Sequence, residues 1–297
     1  MTQLFLRTTD KDGKAYGGFQ WPLEVGAIVT APDWKPTTKC GNGLHGLLNG
    51  EGEAGHLSLE ESAIWWIVEA ENAIDLCGKH KFQSCRVVAF GKREDITQQM
   101  RRMTGGAVHG LIESGGYRAT LTGGDYAKLT GGNEATLTGG DYATLTGGYE
   151  ATLTGGDRAK LTGGDGATLT GGDLAKLTGG HRAKLTGGYR AKLTGGDLAT
   201  LTGGYEATLT GGDRAKLTGG EYATLTGGDY ATLTGGDRST LTGGEVATLT
   251  GGDRSTLIFL RWKEGRRRVL TAYVGEDGIE PGKPYRANDD HTKVVPA

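Results

Sequence analysis

An eight-residue unit, Gly-Gly-Asp-x-Ala-(Thr/Lys)-Leu-Thr, begins at Gly115 and repeats at constant spacing through about eighteen copies, as far as Ile258. This repeat constrains the fold more than any other feature, because a unit of eight residues cannot bury its own apolar face. Each unit must therefore pack on its neighbours. About half of the chain is thus predicted to form a stacked array of small, equivalent elements.

Apolar and polar residues alternate within each unit, as in Ala151-Thr152-Leu153-Thr154. Since successive side chains of a strand point to opposite faces, Ala and Leu would form one face and the Thr residues the other. The Gly-Gly-Asp segment is typical of a turn, because Gly accepts a positive φ and the Asp carboxylate can bind nearby backbone N–H groups. The repeat is therefore predicted to alternate short strands with corners.

Such a chain satisfies its backbone hydrogen bonds by coiling into a parallel β-solenoid, with each strand paired to its equivalent one coil away. Coils of two units and coils of three units both fit the period. Lysine replaces the first Thr in six units, and four of these six are even-numbered units. This bias favours two units per coil around inner ladders of Leu and Ala. The lysines are Lys128, Lys160, Lys176, Lys184, Lys192 and Lys216.

The flanks of the repeat define the other predicted domains, and the fold class is all-β dominated. Residues 1–104 are expected to form a small α+β domain, followed by a junction over 105–114, the octapeptide-repeat solenoid over 115–258 and a β cap over 259–297. In the cap, two segments in which apolar and polar residues alternate lie on either side of Lys263-Glu-Gly-Arg266. This is the pattern of a β-hairpin. Strand-like runs of the first domain cover 3–8, 27–31, 64–69 and 85–90.

Composition and charge restrict the class of protein. The formal net charge is −2, and no part of the chain is basic enough to require nucleic acid as a partner. No apolar segment predicts a signal peptide or a membrane span. The three cysteines, Cys40, Cys77 and Cys85, fit reduced thiols better than a disulfide framework. We expect a cytoplasmic protein in the host cell, with association with a virion as the alternative.

Two resemblances to known families add to this interpretation. Phe19-Gln-Trp-Pro, Cys40-Gly-Asn-Gly-Leu-His45-Gly and Tyr273-Val-Gly-Glu-Asp-Gly-Ile279 resemble an uncharacterised family of phage and prophage proteins, in which an N-terminal domain precedes short repeats. That resemblance implies a phage setting and no particular activity. The repeat, as in Ser239-Thr-Leu-Thr242, resembles the repeats of bacterial ice-nucleation proteins and, more distantly, β-helical antifreeze proteins of the insect type.

The outer Thr rows are the first candidate binding surface, represented by Thr136, Thr138, Thr152 and Thr154. Their hydroxyls would lie about 7 Å apart along a strand and about 4.8 Å apart between coils. Flat, regular hydroxyl arrays are typical of ice-binding faces. The alternative is that Thr is simply a good residue for an exposed strand.

A group of cations is the second candidate surface. With two units per coil, these side chains fall on three successive coils of one face and would attract an anionic partner. The alternative is a solvated wall of mixed charge, because Asp157 and Asp173 lie at the adjoining corners. The cations are Arg158, Lys160, Lys176, Arg190 and Lys192.

The corner tyrosines are the third candidate surface, since they would stack either on a sugar or partner protein or on one another. They are Tyr117, Tyr126, Tyr142, Tyr149, Tyr189, Tyr205, Tyr222 and Tyr230.

In the first domain, Cys77-Gly-Lys-His80 has a spacing that zinc ligands use, with Cys40, His45 and Cys85 as further candidates. Structural thiols and surface histidines are the alternative. Gly41-Asn-Gly-Leu-His45-Gly loosely resembles a segment of ADP-ribosyltransferases, and Trp65 and Trp66 would stack on a ring of the cofactor. No convincing catalytic Glu accompanies this segment, although Glu69 and Glu71 lie at the end of the following strand. A tight turn and two core aromatics explain the same residues.

These observations favour a non-enzymatic structural or binding scaffold, with no catalytic residue, metal or cofactor assigned. The expected partner is a protein or a glycan, and self-association stays open. An ice-binding protein that acts through its Thr-x-Thr rows and an ADP-ribosyltransferase-like enzyme are the two alternatives.

Overall fold

The computed structural model of the protein describes residues 2–297, which divide into two compact units. The first unit comprises residues 2–113 and 122–129, and the second comprises 114–121 and 130–297. None of the helices among the described residues is long and apolar enough to cross a membrane.

A seven-stranded sheet forms the centre of the first unit, in the order β2-β7-β4-β1-β3-β6-β5, with every neighbouring pair antiparallel. One α-helix and two short 3-10 segments, Tyr16–Gly18 and Ala54–His56, accompany the sheet. The four strand-like runs found in the sequence are all strands here. The elements are β1 (Gln3–Thr9), β2 (Ile28–Thr30), β3 (Leu44–Leu48), β4 (Ile64–Ala70), β5 (Ile74–Asp75), β6 (His80–Phe82), β7 (Ser84–Gly91) and α1 (Arg93–Thr104).

Helix α1 has the sequence signals of a capped amphipathic helix. Ile96 and Met100 are four residues apart on one face, and both are buried. The helix ends at Gly105, which has a φ of 71° and donates its N–H to the Arg101 carbonyl, as C-terminal glycines commonly do. Its buried face packs on β4 and β7.

The core of the first unit is built from large aromatic side chains. Phe5, Trp66 and Trp21 are at most 1% exposed, and the Trp21 and Trp66 rings lie 5.4 Å apart between centroids. The Trp66 indole Nε1 donates a hydrogen bond of 2.9 Å to Thr9 Oγ1, so its one polar group is satisfied inside the core. Both faces of the central strands are therefore covered.

The repeat forms a parallel β-solenoid of about nine turns. In the second unit each strand from β11 (Thr136–Thr138) and β12 (Thr144–Thr146) to β24 (Thr240–Gly243) pairs in parallel with the strand sixteen residues further on, as in Leu137 with Leu153 and Leu145 with Leu161. Even-numbered strands from β12 form one sheet and odd-numbered strands from β11 form the other. A coil therefore contains two octapeptide units, which confirms the prediction from the lysine positions.

The strands of the repeat, and β8 just before it, are three or four residues long. They are β8 (Ile112–Ser114), β9 (Thr120–Thr122), β10 (Lys128–Thr130), β11 (Thr136–Thr138), β12 (Thr144–Thr146), β13 (Thr152–Thr154), β14 (Lys160–Thr162), β15 (Thr168–Thr170), β16 (Lys176–Thr178), β17 (Lys184–Gly187), β18 (Lys192–Thr194), β19 (Thr200–Gly203), β20 (Thr208–Thr210), β21 (Lys216–Gly219), β22 (Thr224–Thr226), β23 (Thr232–Gly235), β24 (Thr240–Gly243) and β25 (Thr248–Thr250).

Ala and Leu fill the interior of the solenoid, as the alternation predicts. From Ala135 to Leu257, the Ala and Leu side chains of these inner positions are at most 1% exposed. Two inner Ala positions hold serine instead, and Ser239 and Ser255 place their Oγ atoms 3.0 Å apart, so the hydroxyls satisfy each other. The small Ala lets the two sheets approach closely, and Leu fills the space between them.

The corners correct one expectation from the sequence. The paired glycines do not supply the positive φ. The fourth residue of each unit does, with φ between 52° and 59° where it is not glycine, as at Glu150 and Leu174. The glycines are needed for space. A Cβ added at Gly171 would lie 2.6 Å from the Cβ of Ala175, and one added at Gly172 would lie 2.2 Å from Asp157 Oδ1.

Antiparallel strands close the C-terminal end of both solenoid sheets. They are β26 (Thr256–Lys263), β27 (Arg266–Tyr273), β28 (Pro284–Ala287) and β29 (Val294–Pro296). Strand β26 extends the parallel sheet beyond β24 and pairs with β27 in a hairpin, and β28 pairs with β25. The hairpin turns at Glu264 and Gly265, with φ of 54° and 70°, as a two-residue type I′ turn requires. The predicted hairpin is confirmed.

Candidate functional site

The outward Thr side chains form regular arrays on the two solenoid sheets. Thr136 pairs in register with Thr152, and Thr138 pairs with Thr154, so these four residues make a two-by-two array on the odd-strand sheet. All four side chains are exposed. The geometry of a parallel sheet puts equivalent hydroxyls about 4.8 Å apart between coils.

Each sheet carries two outward columns, and they differ in composition. We call the residues before the inner Leu the first column and the Thr residues after it the second column. The second column contains Thr in every strand from β11 to β25, whereas all the lysines stand in the first column. Lysine therefore does not interrupt the second column. The sequence already shows that lysine replaces only the first Thr of a unit, and the register shows that each Thr position forms its own column.

The five predicted cations separate into two groups. Lys160, Lys176 and Lys192 pair in register on three successive coils of the even-strand sheet. Arg158 and Arg190 lie at the corners instead, where Arg158 Nη1 donates to Tyr142 Oη at 2.7 Å and Arg190 forms an ion pair with Glu206. Of these five cations only Arg190 forms an ion pair among residues 2–297, so Arg158 and the three lysines present charges without an ion-pair partner.

A ladder of side-chain to backbone bonds connects the corners. The Oδ1 atom of an Asp or Asn accepts the backbone N–H of the residue sixteen positions later, at 2.7–3.0 Å. Asp157, for example, accepts from Asp173 at 2.8 Å. The sequence predicts that these carboxylates bind nearby N–H groups, and the structure shows that the partner belongs to the next coil. The Asp side chains therefore lock successive coils together.

The corner tyrosines pack on neighbouring side chains of the same chain. The rings of Tyr189 and Tyr205 are stacked, with centroids 5.8 Å apart, and those of Tyr205 and Tyr222 lie 5.3 Å apart. The Arg238 guanidinium lies over the Tyr222 ring at 5.4 Å from its centroid. Tyr189, Tyr205 and Tyr222 thus pack on one another, whereas Tyr117, Tyr149 and Tyr230 are more than half exposed.

The candidate residues of the first unit do not form a metal centre or a stacking site. Trp65 and Trp66 are fully buried in the core, so neither ring is free to stack on a ligand. Burial raises the pKa of the Cys85 thiol to about 12, whereas Cys40 and Cys77 are exposed. Within residues 2–297, no three His, Cys, Asp or Glu side chains are close enough to hold a metal ion.

Comparisons with known proteins give partial matches. Residues 4–101, which lie in the first unit, match the family described as "Domain of unknown function (DUF7666)". A stretch of 99 residues is 35% identical to the ice nucleation protein InaU of Pantoea ananas and to an ice nucleation protein of Enterobacter agglomerans. These matches cover 32% of this chain, but only 9% and 8% of the two relatives. No solved structure matches the chain.

Proposed function

We propose that the protein is a non-enzymatic scaffold whose solenoid displays two rigid, hydroxyl-bearing walls to a regular surface or partner. The observation that carries this proposal is the unbroken second column of Thr above a fully buried ladder of Leu. A partner of protein or glycan and a phage setting belong to the same proposal, and they rest on the resemblances of the sequence.

Three features make these walls rigid. Backbone hydrogen bonds join each coil to the next, the corner ladder ties Asp to the following coil, and the interior holds closely packed Ala and Leu. Thr is also stiff at χ1 because it is β-branched. A surface whose hydroxyls are already fixed loses little conformational entropy when it binds, which favours recognition of a regular, extended ligand.

Ice binding is the second candidate function, and two observations favour it. The first is the similarity of 99 residues to ice nucleation proteins. The second is the stretch from β11 to β15, where both columns of the odd-strand sheet contain only Thr. Beyond β15 the first column of this sheet contains lysine at Lys184 and Lys216, so we expect the all-Thr patch on β11 to β15 to be the part of this wall that contacts ice.

The experiment measures thermal hysteresis and the freezing temperature of droplets with the full-length protein. Thr154→Tyr places a bulky ring in the all-Thr patch, and Thr194→Tyr makes the same change beside Lys192 on the other sheet. Ice binding predicts activity in the wild type that Thr154→Tyr abolishes and Thr194→Tyr retains. Absence of any effect on freezing by the wild type would reject ice binding and leave the scaffold proposal.

The scaffold proposal has its own test in hydrogen–deuterium exchange of the full-length protein. Rigid walls predict slow exchange of backbone amides throughout residues 131–257, from the first coils to the last. Exchange within seconds across the middle coils would mean that the walls are not preformed, and the scaffold proposal would then fail.

A further inference from the structure

The first unit contains a cavity of about 890 Å³ where β1 and β3 diverge. These strands pair only at Phe5 with Leu48 and at Leu6 with Leu47. Beyond Leu6, β1 continues beside β4 alone, and Arg7 comes to line the space that β3 leaves. The end of this pairing opens the space, and the loops at 15–19, 31–33, 40–43 and 55–57 complete its wall.

Arg7 is an unneutralised cation in the wall of this cavity. Its side chain forms no hydrogen bond or ion pair with any residue from 2 to 297, and its Nε atom is buried without a partner. The guanidinium lies over the Trp21 ring, with Cζ 3.8 Å from the ring centroid. Desolvation lowers the pKa of Arg7 to about 9, so it keeps its charge at neutral pH. The thiol of Cys85, which has a pKa of about 12, is uncharged and does not neutralise it.

Further polar atoms in the cavity wall also lack partners. His45 Nε2 and Trp21 Nε1 are buried and make no hydrogen bond within residues 2–297. Burial, together with Lys79 and then Arg7, lowers the pKa of His45 to about 4, so the ring is neutral and can offer Nε2–H as a donor. Buried donors without a protein partner are rare in native proteins, and several in one cavity can donate to the acceptor oxygens of a ligand.

The buried Lys81 side chain holds the loop of residues 39–43 in place. Lys81 is fully buried, and its Nζ donates to the Lys39 carbonyl at 2.9 Å and to the Gly41 carbonyl at 3.4 Å. The ammonium group thus fixes the backbone that runs into Gly43 and on to His45. A wall that is fixed before binding favours a ligand of defined shape.

We propose that this cavity binds a small organic phosphate, with its anionic head at Arg7 and its apolar body in the remaining space. Two cations, Arg7 and Lys79, and the free N–H groups of His45 and Trp21 suit a head group with a double charge and several acceptor oxygens. Asp33 is the opposing charge, and its carboxylate accepts a hydrogen bond from Asn42 Nδ2 at 3.2 Å.

The body of the ligand follows from the size and the other lining residues of the cavity. A volume of about 890 Å³ is far larger than a phosphate ion needs and lies in the range of sites for small organic ligands. Phe19, Leu44 and Leu57 contribute apolar surface, and Tyr16 places a fully exposed ring at the edge. This site is independent of the solenoid walls and of the scaffold proposal.

Isothermal titration of the full-length protein with phenyl phosphate tests this proposal. Inorganic phosphate supplies the head alone, and phenol supplies the body alone. We expect saturable binding of phenyl phosphate, weaker binding of inorganic phosphate and still weaker binding of phenol. Arg7→Met should weaken the binding of phenyl phosphate by about tenfold or more, and Arg7→Lys should weaken it less. Arg86→Met is the matched control, because Arg86 is exposed, pairs with Glu69 and lies outside this cavity.

Several outcomes would overturn the proposal. The first is no saturable binding of phenyl phosphate at millimolar concentration, and the second is a folded Arg7→Met variant that binds phenyl phosphate as tightly as the wild type. The third is tighter binding of benzoate than of phenyl phosphate, which would mean that the head group is a carboxylate. Circular dichroism and the thermal transition show whether Arg7→Met folds. If it does not, Lys79→Met replaces it, with the same loss of affinity expected and with unchanged affinity counting against the site.

Discussion

The two units of this chain bury apolar surface by opposite strategies. The first unit uses large aromatic residues, each of which occupies one unrepeated environment, such as Trp66 between Trp21 and Phe90. The solenoid uses Ala and Leu, with serine at two inner positions, and successive coils repeat the same packing. Unrepeated packing produces a cavity with specific polar groups, whereas repeated packing produces regular walls. We therefore expect one core substitution to destabilise the whole first unit, whereas one in the solenoid should destabilise only a few coils.

The largest effect is expected inside the solenoid, at Leu185, which is 1% exposed. Leu185→Asp places an unpaired carboxylate in the Leu ladder and should lower the local free energy of unfolding by about 5 kcal/mol or more. Hydrogen exchange should rise only in the coils around β17. Thr186→Asp, which points outward, is the control and should cost far less. Equal losses for the two variants would mean that the inner and outer faces are reversed.

A smaller but more widespread effect is expected in the first unit. Trp66→Ala should lower the free energy of unfolding by about 3–5 kcal/mol, because it removes a fully buried ring and leaves a cavity. Since this core is not repeated, amide exchange should rise throughout β1, β4 and β7. Ile28→Ala, at a side chain that is 67% exposed, is the control. Faster exchange confined to the residues next to Trp66 would break the contrast between the two units.

The glycine corners give a third, intermediate effect. Gly171→Ala should lower the free energy of unfolding by about 2–3 kcal/mol, because its methyl group would overlap Ala175. Gly166→Arg should change stability by less than about 1 kcal/mol, although φ is 68° there, because other repeats carry Arg at the equivalent position. Thermal unfolding measures both changes. A tolerated Gly171→Ala with a damaging Gly166→Arg would show that conformation, and not space, selects the glycines.

The smallest effect is expected in the corner ladder. Asp213→Ala removes the oxygen that accepts the N–H of Asp229 at 2.8 Å, and it should lower the free energy of unfolding by about 1 kcal/mol. Asp213→Asn keeps a carbonyl oxygen at the same place, as Asn133 already does toward Tyr149, and should be nearly neutral. Denaturant unfolding distinguishes these variants. An equal loss in both would assign the role of Asp213 to its charge instead of its hydrogen bond.

The sequence predicts the solenoid well, because the same eight-residue pattern recurs in every unit. The alternation within each repeat assigns Ala and Leu to the inside, and the lysine positions indicate two units per coil. The corner conformation was predicted wrongly, since a non-glycine residue such as Leu174 seldom takes a positive φ and glycines stand beside it. Helix α1 has its own sequence signal in the spacing of Ile96 and Met100, which lie four residues apart on its buried face.

The cavity of the first unit has no comparable sequence signal. Arg7 and Lys79 are far apart in the chain, and they line one space because β1 and β3 stop pairing after Leu6. The motif at Gly41 to His45 does line this cavity, but Trp65 and Trp66 are in the core. The sequence cannot show which of these polar groups lack hydrogen-bond partners, because the partners depend on where β1 and β3 stop pairing.

The central claim is that each coil contains sixteen residues, so that the Thr columns are continuous. Pulsed electron spin resonance between labels at Thr138→Cys and Thr234→Cys tests it most directly, in a background in which Cys40, Cys77 and Cys85 are replaced by Ser. Both sites lie in the second column of the odd-strand sheet, on β11 and β23. Coils of sixteen residues put six inter-coil steps between the labels and predict a separation of about 29 Å. Coils of twenty-four residues would put four steps between them, so a separation of about 19 Å would contradict the account.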